Sequence, residues 1–151
     1  MYPQARRQRG LTLMELLITI AIIGVLAAAA VPQYQNYVAK AQIKRAIAEL
    51  SGLRTEVERI LTQAPNAQGV DAAGLGFLGS DLSTSMPTVT AAVTGEVSIT
   101  MAMDGSAASV INGLDAEISR DVNGIWSCVI RLNGAPNNAA YIPSDCTILP
   151  N

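Results

Sequence analysis

The chain contains no histidine, and its 151 residues include only two cysteines, Cys128 and Cys146. Histidine is the commonest metal ligand and the side chain most often used as a general acid or base. The spacing of the two cysteines is unlike that of zinc or redox motifs. These absences argue against a histidine-built metal centre and against histidine-dependent catalysis, and we expect no cofactor.

Charged residues are also scarce, at 15% of the chain, where about a quarter is usual for a soluble domain. The balance is acidic, with 10 Lys and Arg against 12 Asp and Glu. An acidic chain lacks the basic surface that binds nucleic acid, so no specific nucleic acid binding is predicted. No serine-centred nucleophile motif, metal cluster or convincing acid pair is visible either, which disfavours an enzyme.

What the sequence does contain is one long apolar run near its N-terminus. Residues 11–31 are long enough to cross a membrane as a helix, and Glu15 is the only charged residue among them. Arg6, Arg7 and Arg9 precede the run, which favours an N-terminus held in the cytoplasm. Placing a charged side chain in the hydrocarbon core of a membrane costs roughly 2.5–3.5 kcal/mol. The presence of Glu15 in this run therefore indicates a functional role, and its charge requires a partner.

An ordinary secretory signal cleaved near residues 27–30, or a plain uncleaved anchor, would also explain a basic segment followed by an apolar one. Neither explains Glu15, nor a helical pattern that continues beyond Val31. The order of features is more specific: a short basic leader, Gly10, and then residues 11–17, Leu-Thr-Leu-Met-Glu-Leu-Leu. This order resembles the class 3 signal of type IV pilins and their relatives.

The resemblance implies processing and assembly residues. In that family a membrane-embedded prepilin peptidase cuts after the glycine and N-methylates the new first residue, here between Gly10 and Leu11. The family usually has phenylalanine where this chain has Leu11. Glu15 matches the family's glutamate, and Gly24 and Pro32 match positions where many pilins carry glycine and proline. All three are therefore expected to act in assembly.

The function implied by the resemblance is structural: a homo-oligomeric helical filament, the type IV pilus. The precursor would reside in the inner membrane, and an inner-membrane assembly platform and an outer-membrane secretin would deliver it to an extracellular pilus. That pilus would support adhesion, twitching motility or DNA uptake. A minor pilin or a type II secretion pseudopilin is the alternative within this class, and a membrane-anchored enzyme is the competing class.

Beyond the apolar run, residues spaced three and four apart form a stripe that predicts continued helix to Gln63. The stripe consists of Ile43, Ile47, Leu50, Leu53, Val57, Ile60 and Leu61. Arg45–Glu49 and Arg54–Glu58 are predicted to be ion pairs on the solvated side of this helix. The stripe needs a covering layer from the rest of the chain.

The composition of residues 64–95 predicts a loop, and alternating apolar residues then predict strands at 96–103, 114–122 and 125–132. Asn123-Gly124 and Asn133-Gly134 predict tight hairpins with positive φ at both central residues. We therefore expect an α+β fold, a long N-terminal helix packed on an antiparallel sheet of three or four strands, which is the layout of pilins. The predicted domains are a leader (1–10), a hydrophobic helix (11–39) and a head (40–151).

Cys128 and Cys146 are predicted to form a disulfide, because an even pair in an exported domain is typical of one. The alternative is a pair of free buried thiols in a cytosolic protein. The intervening residues 129–145 include Gly134, Pro136, Asn137, Asn138 and Pro143, a turn-rich composition. The resemblance implies that this loop contributes to surface recognition and subunit contacts, and a purely structural clasp is the alternative.

Overall fold

The computed structural model describes residues 10–64, 68–134 and 140–149, so Arg6, Arg7, Arg9 and residues 136–138 of the disulfide loop lie outside the described part. The described residues form two helices and five strands. Their bounds are α1 Leu13–Ser51, α2 Arg54–Gln63, β1 Thr88–Ala91, β2 Val97–Ala102, β3 Asp115–Arg120, β4 Trp126–Arg131 and β5 Cys146–Leu149. The chain divides into two compact units, the first ending at Tyr34 and the second, here called the head, beginning at Gln35.

The N-terminal part of α1 is apolar on all sides, and every residue from 10 to 35 is exposed. Among the described residues, the helix that contains this part is long and apolar enough to cross a membrane. Pro32 lies inside α1, and because proline has no N–H, the carbonyl of Ala28 loses its usual helical donor. The helix nevertheless continues on both sides of Pro32.

A single helix to Gln63 was predicted, and this prediction is wrong at one point. Gly52 and Leu53 separate α1 from α2: the Gly52 N–H still donates to the Ala48 carbonyl at 3.1 Å, but the Leu53 N–H donates to the Leu50 carbonyl three residues back, at 3.0 Å. Glycine destabilises a helix by about 1 kcal/mol relative to alanine, which accounts for the position of the interruption. The apolar stripe continues across it, because Leu50, Leu53 and Val57 are all buried.

The five strands form one sheet in the order β1-β2-β3-β4-β5, so the sheet has one strand more than predicted. Neighbouring strands are antiparallel except β4 and β5, which are parallel. The predicted loop over 64–95 contains β1, which pairs with β2 through four residues. The expectation of a wholly antiparallel sheet and of an unbroken loop there was therefore wrong.

The two predicted hairpins also have different outcomes. Residues 121–125 do connect β3 to β4 as a hairpin, but only Gly124 has positive φ, because the Asp121 carboxylate accepts the N–H groups of Asn123 and Ile125 instead. Asn133 and Gly134 both have positive φ, at 48° and 84°, as that turn requires. They do not form a hairpin between β4 and β5, because those two strands are parallel.

The core of the head lies between the helices and one face of the sheet. Buried apolar residues of α1 and α2 pack with alternate residues of β2, β3 and β4, chiefly Ala39, Ile43, Ala46, Leu50, Val57, Ile99, Met101, Ala116, Ile118 and Ile130. The predicted stripe is confirmed, with Ile47, Ile60 and Leu61 partly buried at its margins. The predicted α+β layout is also confirmed, because the helices and the sheet supply one shared core.

Candidate assembly site

The predicted cleavage site lies at the start of the described chain. Gly10 and Leu11 are both exposed, and Leu11 retains 80% of its accessible surface. A Cβ added to Gly10 would meet nothing within 4 Å, so the subunit itself does not require a glycine there. Any requirement for Gly10 must come from a partner that approaches the backbone closely.

Glu15 contacts Thr12 in a reciprocal arrangement at the start of α1. The Thr12 hydroxyl accepts the Glu15 N–H at 3.2 Å, while the Glu15 carboxylate accepts the Thr12 N–H at 3.4 Å. This is a capping box, which satisfies N–H groups that have no helical acceptor. We did not predict it from the sequence, although the spacing Thr12-x-x-Glu15 is its known signature. In the subunit, Glu15 thus has a local hydrogen-bond partner but no positive charge beside it in the described residues.

The surface that follows Glu15 is a continuous exposed apolar face. Large side chains from Leu16 to Val31 keep about half or more of their surface exposed. A shallow depression of about 350 Å³ lies on this helix, lined by Ile18, Ala21, Ile22, Val25 and Leu26. Gly24 lies beside it, and an added Cβ there would again meet nothing within 4 Å.

The predicted disulfide between Cys128 and Cys146 is present, with the two Cα atoms 4.6 Å apart. The two cysteines are direct register partners on β4 and β5, so the bond fixes the alignment of the parallel pair. Tyr141 and Ile142, just before β5, are buried in the core. The segment that closes the sheet is therefore attached both covalently and by packing.

The second attachment within the head joins α2 to the sheet through Glu58. Its carboxylate accepts Arg120 Nε at 2.8 Å and Trp126 Nε1 at 2.9 Å. The hydrogen bond from Arg120 is the main reason that the pKa of Glu58 lies below its ordinary value. The predicted Arg54–Glu58 pair is wrong, because the Arg54 guanidinium instead lies over the Trp126 ring, 5.3 Å from its centroid. The predicted Arg45–Glu49 pair is present at 2.8 Å.

A third attachment holds two connecting segments to α1, one that precedes β1 and one between β2 and β3. Gln42 Oε1 accepts the N–H of Ala108 at 2.8 Å, and Arg45 forms an ion pair with Asp81. These contacts, together with the Glu58 network, anchor both ends of the sheet to the helices. These contacts hold the fold together. A group of three or more potential metal ligands does not occur in the described ranges.

The predicted site residues therefore divide into two sets. Cys128 and Cys146 are joined within the subunit, whereas Gly10, Leu11, Glu15, Gly24 and Pro32 are distributed along one exposed helical segment. Glu15 is hydrogen-bonded to Thr12, which is outside this set, and the hydrogen bonds of the described residues do not join members of the set through their side chains. The residues of the second set are exposed, so they can contact other molecules.

Both the N-terminal segment and the head match known protein families. Residues 39–147 match the family described as Pilin (bacterial filament), and residues 5–31 match the prokaryotic N-terminal methylation motif. A "Fimbrial protein" of Pseudomonas aeruginosa is 35% identical, with 93% of this chain and 97% of the relative covered. The "Type IV major fimbrial protein FimA" of Dichelobacter nodosus is 34% identical, covering 92% and 96%. A "Probable minor fimbrial protein" of the same organism is 35% identical, covering 93% and 96%. The chain therefore belongs to the pilin family.

Proposed function

We propose that this chain is the major structural subunit of a type IV pilus. The observation that carries the proposal is the exposed, largely apolar segment 10–35, most of which lies within the match to the N-terminal methylation motif over residues 5–31. Such a surface is unstable in water and must be covered by lipid or by other helices. If the chain is the major subunit, it accounts for most of the protein mass in filaments sheared from cells.

Processing precedes assembly in this proposal. The prepilin peptidase cuts between Gly10 and Leu11 and methylates the Leu11 amine, dividing the chain into a leader (1–10), an assembly helix (11–39) and a head (40–151). Removing the three leader arginines leaves seven basic and twelve acidic residues, a net charge of −5. The subunit then waits in the inner membrane until a platform and a secretin deliver it to the pilus. Adhesion, twitching motility and DNA uptake are the roles that such a pilus supports.

The energetics require direct transfer of the helix from lipid to filament. Each large apolar side chain left in water costs about 1.5–3 kcal/mol, and the exposed segment carries many of them. Lipid and neighbouring helices cover this surface about equally well, so burial alone gives little net preference between them. Specific packing and polar contacts between helices must then select the filament, and Glu15 is the polar group available for this.

Glu15 is proposed to pair with the methylated amine of Leu11 in a neighbouring subunit. Cleavage creates that amine, and the pair would neutralise two charges that an apolar interior otherwise penalises. The same pair would fix the axial register between subunits. The capping contact with Thr12 holds the carboxylate at the start of the helix before assembly.

Three variants separate the charge of Glu15 from its capping role. Glu15→Gln preserves a side chain that supports a capping box but removes the charge, so cleavage should be normal and filaments few. Glu15→Ala should behave in the same way. Thr12→Val removes the capping hydroxyl and keeps the charge, so filaments should form at near the normal level. Leader cleavage, membrane levels and sheared filaments are measured for each variant.

Abundant filaments from Glu15→Gln would rule out the register role of the charge. A block in cleavage in either Glu15 variant would show that Glu15 acts in peptidase recognition instead. Loss of filaments in Thr12→Val alone would assign the effect to the cap.

A further inference from the structure

The basic side chains of the head are almost all engaged within it. Four arginines form ion pairs with carboxylates, and Arg54 lies over the Trp126 ring. Across residues 10–64, 68–134 and 140–149, Lys40 and Lys44 are the basic residues that take part in neither kind of contact. In a subunit with an acidic net charge, these two lysines are the groups available to bind a negatively charged partner.

The two lysines are four residues apart and therefore lie on the same side of α1, where Lys44 is exposed and Lys40 is partly exposed. With Tyr37 and Ala41 they line a shallow depression of about 190 Å³, and Tyr37 keeps 74% of its surface exposed. We name Tyr37, Lys40, Ala41 and Lys44 the base patch. It combines an aromatic ring with two positive charges.

A second surface has the opposite charge and a similar apolar content. Residues 92–96 connect β1 to β2, residues 121–125 connect β3 to β4, and the pairing of Val97 with Arg120 places these connections side by side. Val93, Val122 and Ile125 are exposed within them, at 66%, 55% and 64%. Glu96 and Asp121 add two carboxylates, and together these five residues define the tip patch.

The Arg120 guanidinium, which lies beside the tip patch, pairs with Glu58 and donates to the Gly95 and Asp121 carbonyls at 2.9 and 3.1 Å. Asp121 accepts two backbone N–H groups of its own turn, chiefly that of Ile125, which lowers its pKa and keeps it ionised. Glu96 is exposed and accepts a hydrogen bond from the Thr94 hydroxyl at 2.9 Å. Asp121 is therefore negative at neutral pH, and Glu96 adds a second exposed carboxylate beside it.

The two patches lie at opposite ends of the sheet within the head. Gln42, between Lys40 and Lys44 on α1, binds Ala108 in the connection that precedes β3, whereas the tip patch follows the end of β3. Different complementary surfaces at opposite ends of one chain produce a head-to-tail contact, and such contacts build open filaments when they do not close into a ring.

We propose that the tip patch of one subunit docks on the base patch of the next copy along the filament. Lys40 and Lys44 face Glu96 and Asp121, while Val93, Val122 and Ile125 pack on Tyr37 and Ala41. The inference rests on the proposed filament function and adds to it a specific contact between heads.

Charge reversal tests this pairing in the full chain expressed in cells. Lys44→Glu and Glu96→Lys each place like charges at every head-to-head contact, so each single variant should reduce sheared filaments at least tenfold. The double variant restores opposite charges with their positions exchanged, and its filament yield should return to within threefold of the unmodified chain. Both positions are exposed, so membrane levels of the subunit and the fluorescence of its single tryptophan should stay normal.

The matched control combines Lys44→Glu with Asp71→Lys, because Asp71 is an exposed carboxylate outside the tip patch. This control has the same net charge as the double variant and should remain defective. Equal rescue by Asp71→Lys, or normal filaments in Lys44→Glu, would overturn the proposal. Absence of rescue by Glu96→Lys would also overturn it and would assign Lys44 to another anion, such as lipid headgroups. If the unmodified chain forms no filaments at all, the proposed function fails, which is a separate result.

Discussion

Replacement of Glu58 by glutamine should destabilise the head through the network that joins α2 to the sheet. Glutamine keeps the size and the acceptor oxygen of the side chain, so the change removes mainly the charge that faces Arg120. Hydrogen bonds to charged groups contribute about 1.5–3 kcal/mol, and partial exposure reduces this. The Glu58 side chain is 43% exposed and that of Arg120 16%. We therefore expect the free energy of unfolding to fall by about 1–2 kcal/mol at pH 7.

The pH dependence gives a second signature of the same network. The hydrogen bond from Arg120, followed by that from Trp126, lowers the pKa of Glu58 in the folded chain. The stabilisation is therefore present above the unfolded pKa of about 4.3 and is lost as the pH falls through the lower folded pKa. Glu58→Gln cannot titrate at this position. The difference in stability between the two proteins should consequently shrink below about pH 4.3.

Urea unfolding of the mature chain in mild detergent measures this effect. Trp126 is the only tryptophan and belongs to the network, so its fluorescence reports unfolding where the perturbation occurs. The matched control is Glu56→Gln on the same helix, whose partner Arg59 is only three residues away and exposed. This control should change stability less. Equal stability of Glu58→Gln and the unmodified chain at pH 7, or a difference that persists undiminished at pH 3, would refute the reasoning.

Two further predictions concern the disulfide and the helix. The double variant Cys128→Ser, Cys146→Ser removes a disulfide that links residues 18 positions apart, so the free energy of unfolding should fall by about 3 kcal/mol. Unchanged stability and unchanged filament yield would show that the bond has no role. The segment between Gly24 and Pro32 should unwind in the assembled filament. Gly24→Ala favours the helical state by about 1 kcal/mol and adds a Cβ that meets no atom within 4 Å in the subunit. This variant should therefore leave the head stable and reduce the yield of filaments. A filament map with unbroken helix from Gly24 to Pro32 would contradict the second.

The features that the sequence predicted correctly are those with a strong local pattern. The buried stripe through Ile43 and Leu50 follows helical spacing, and strands β2 to β4 follow alternation or lie between turn signals. The Cys128–Cys146 bond followed from an even cysteine count in an exported chain. Each of these depends on residues close in sequence, or on a residue type with few alternatives.

The features that the sequence did not predict depend on pairing at a distance. Strands β1 and β5 have four residues each and lie at the edges of the sheet, so their order comes from neighbours, not from their own composition. The parallel direction of β5 depends on its pairing with β4, which the disulfide between Cys128 and Cys146 holds in register. Arg54 and Glu58 have ideal spacing for a helical ion pair, yet each contacts a residue of the sheet instead: Arg54 contacts Trp126, and Glu58 pairs with Arg120.

The Thr12–Glu15 cap was a different kind of omission. Its signature, Thr12-x-x-Glu15, is present in the sequence, whereas the assembly role implied by the resemblance concerns the charge of Glu15 and not its local hydrogen bonds. The structure assigns the carboxylate a hydrogen-bond partner within its own helix. This is why the test of Glu15 must separate charge from capping.

The N-terminal residue and intact mass of the protein in sheared filaments test the central claim most directly. The account predicts a mature chain that begins at N-methyl-Leu11, contains one disulfide and makes up most of the filament protein. A chain that begins near Val31, or one that retains Met1, would contradict the assignment of this segment as a processed assembly helix.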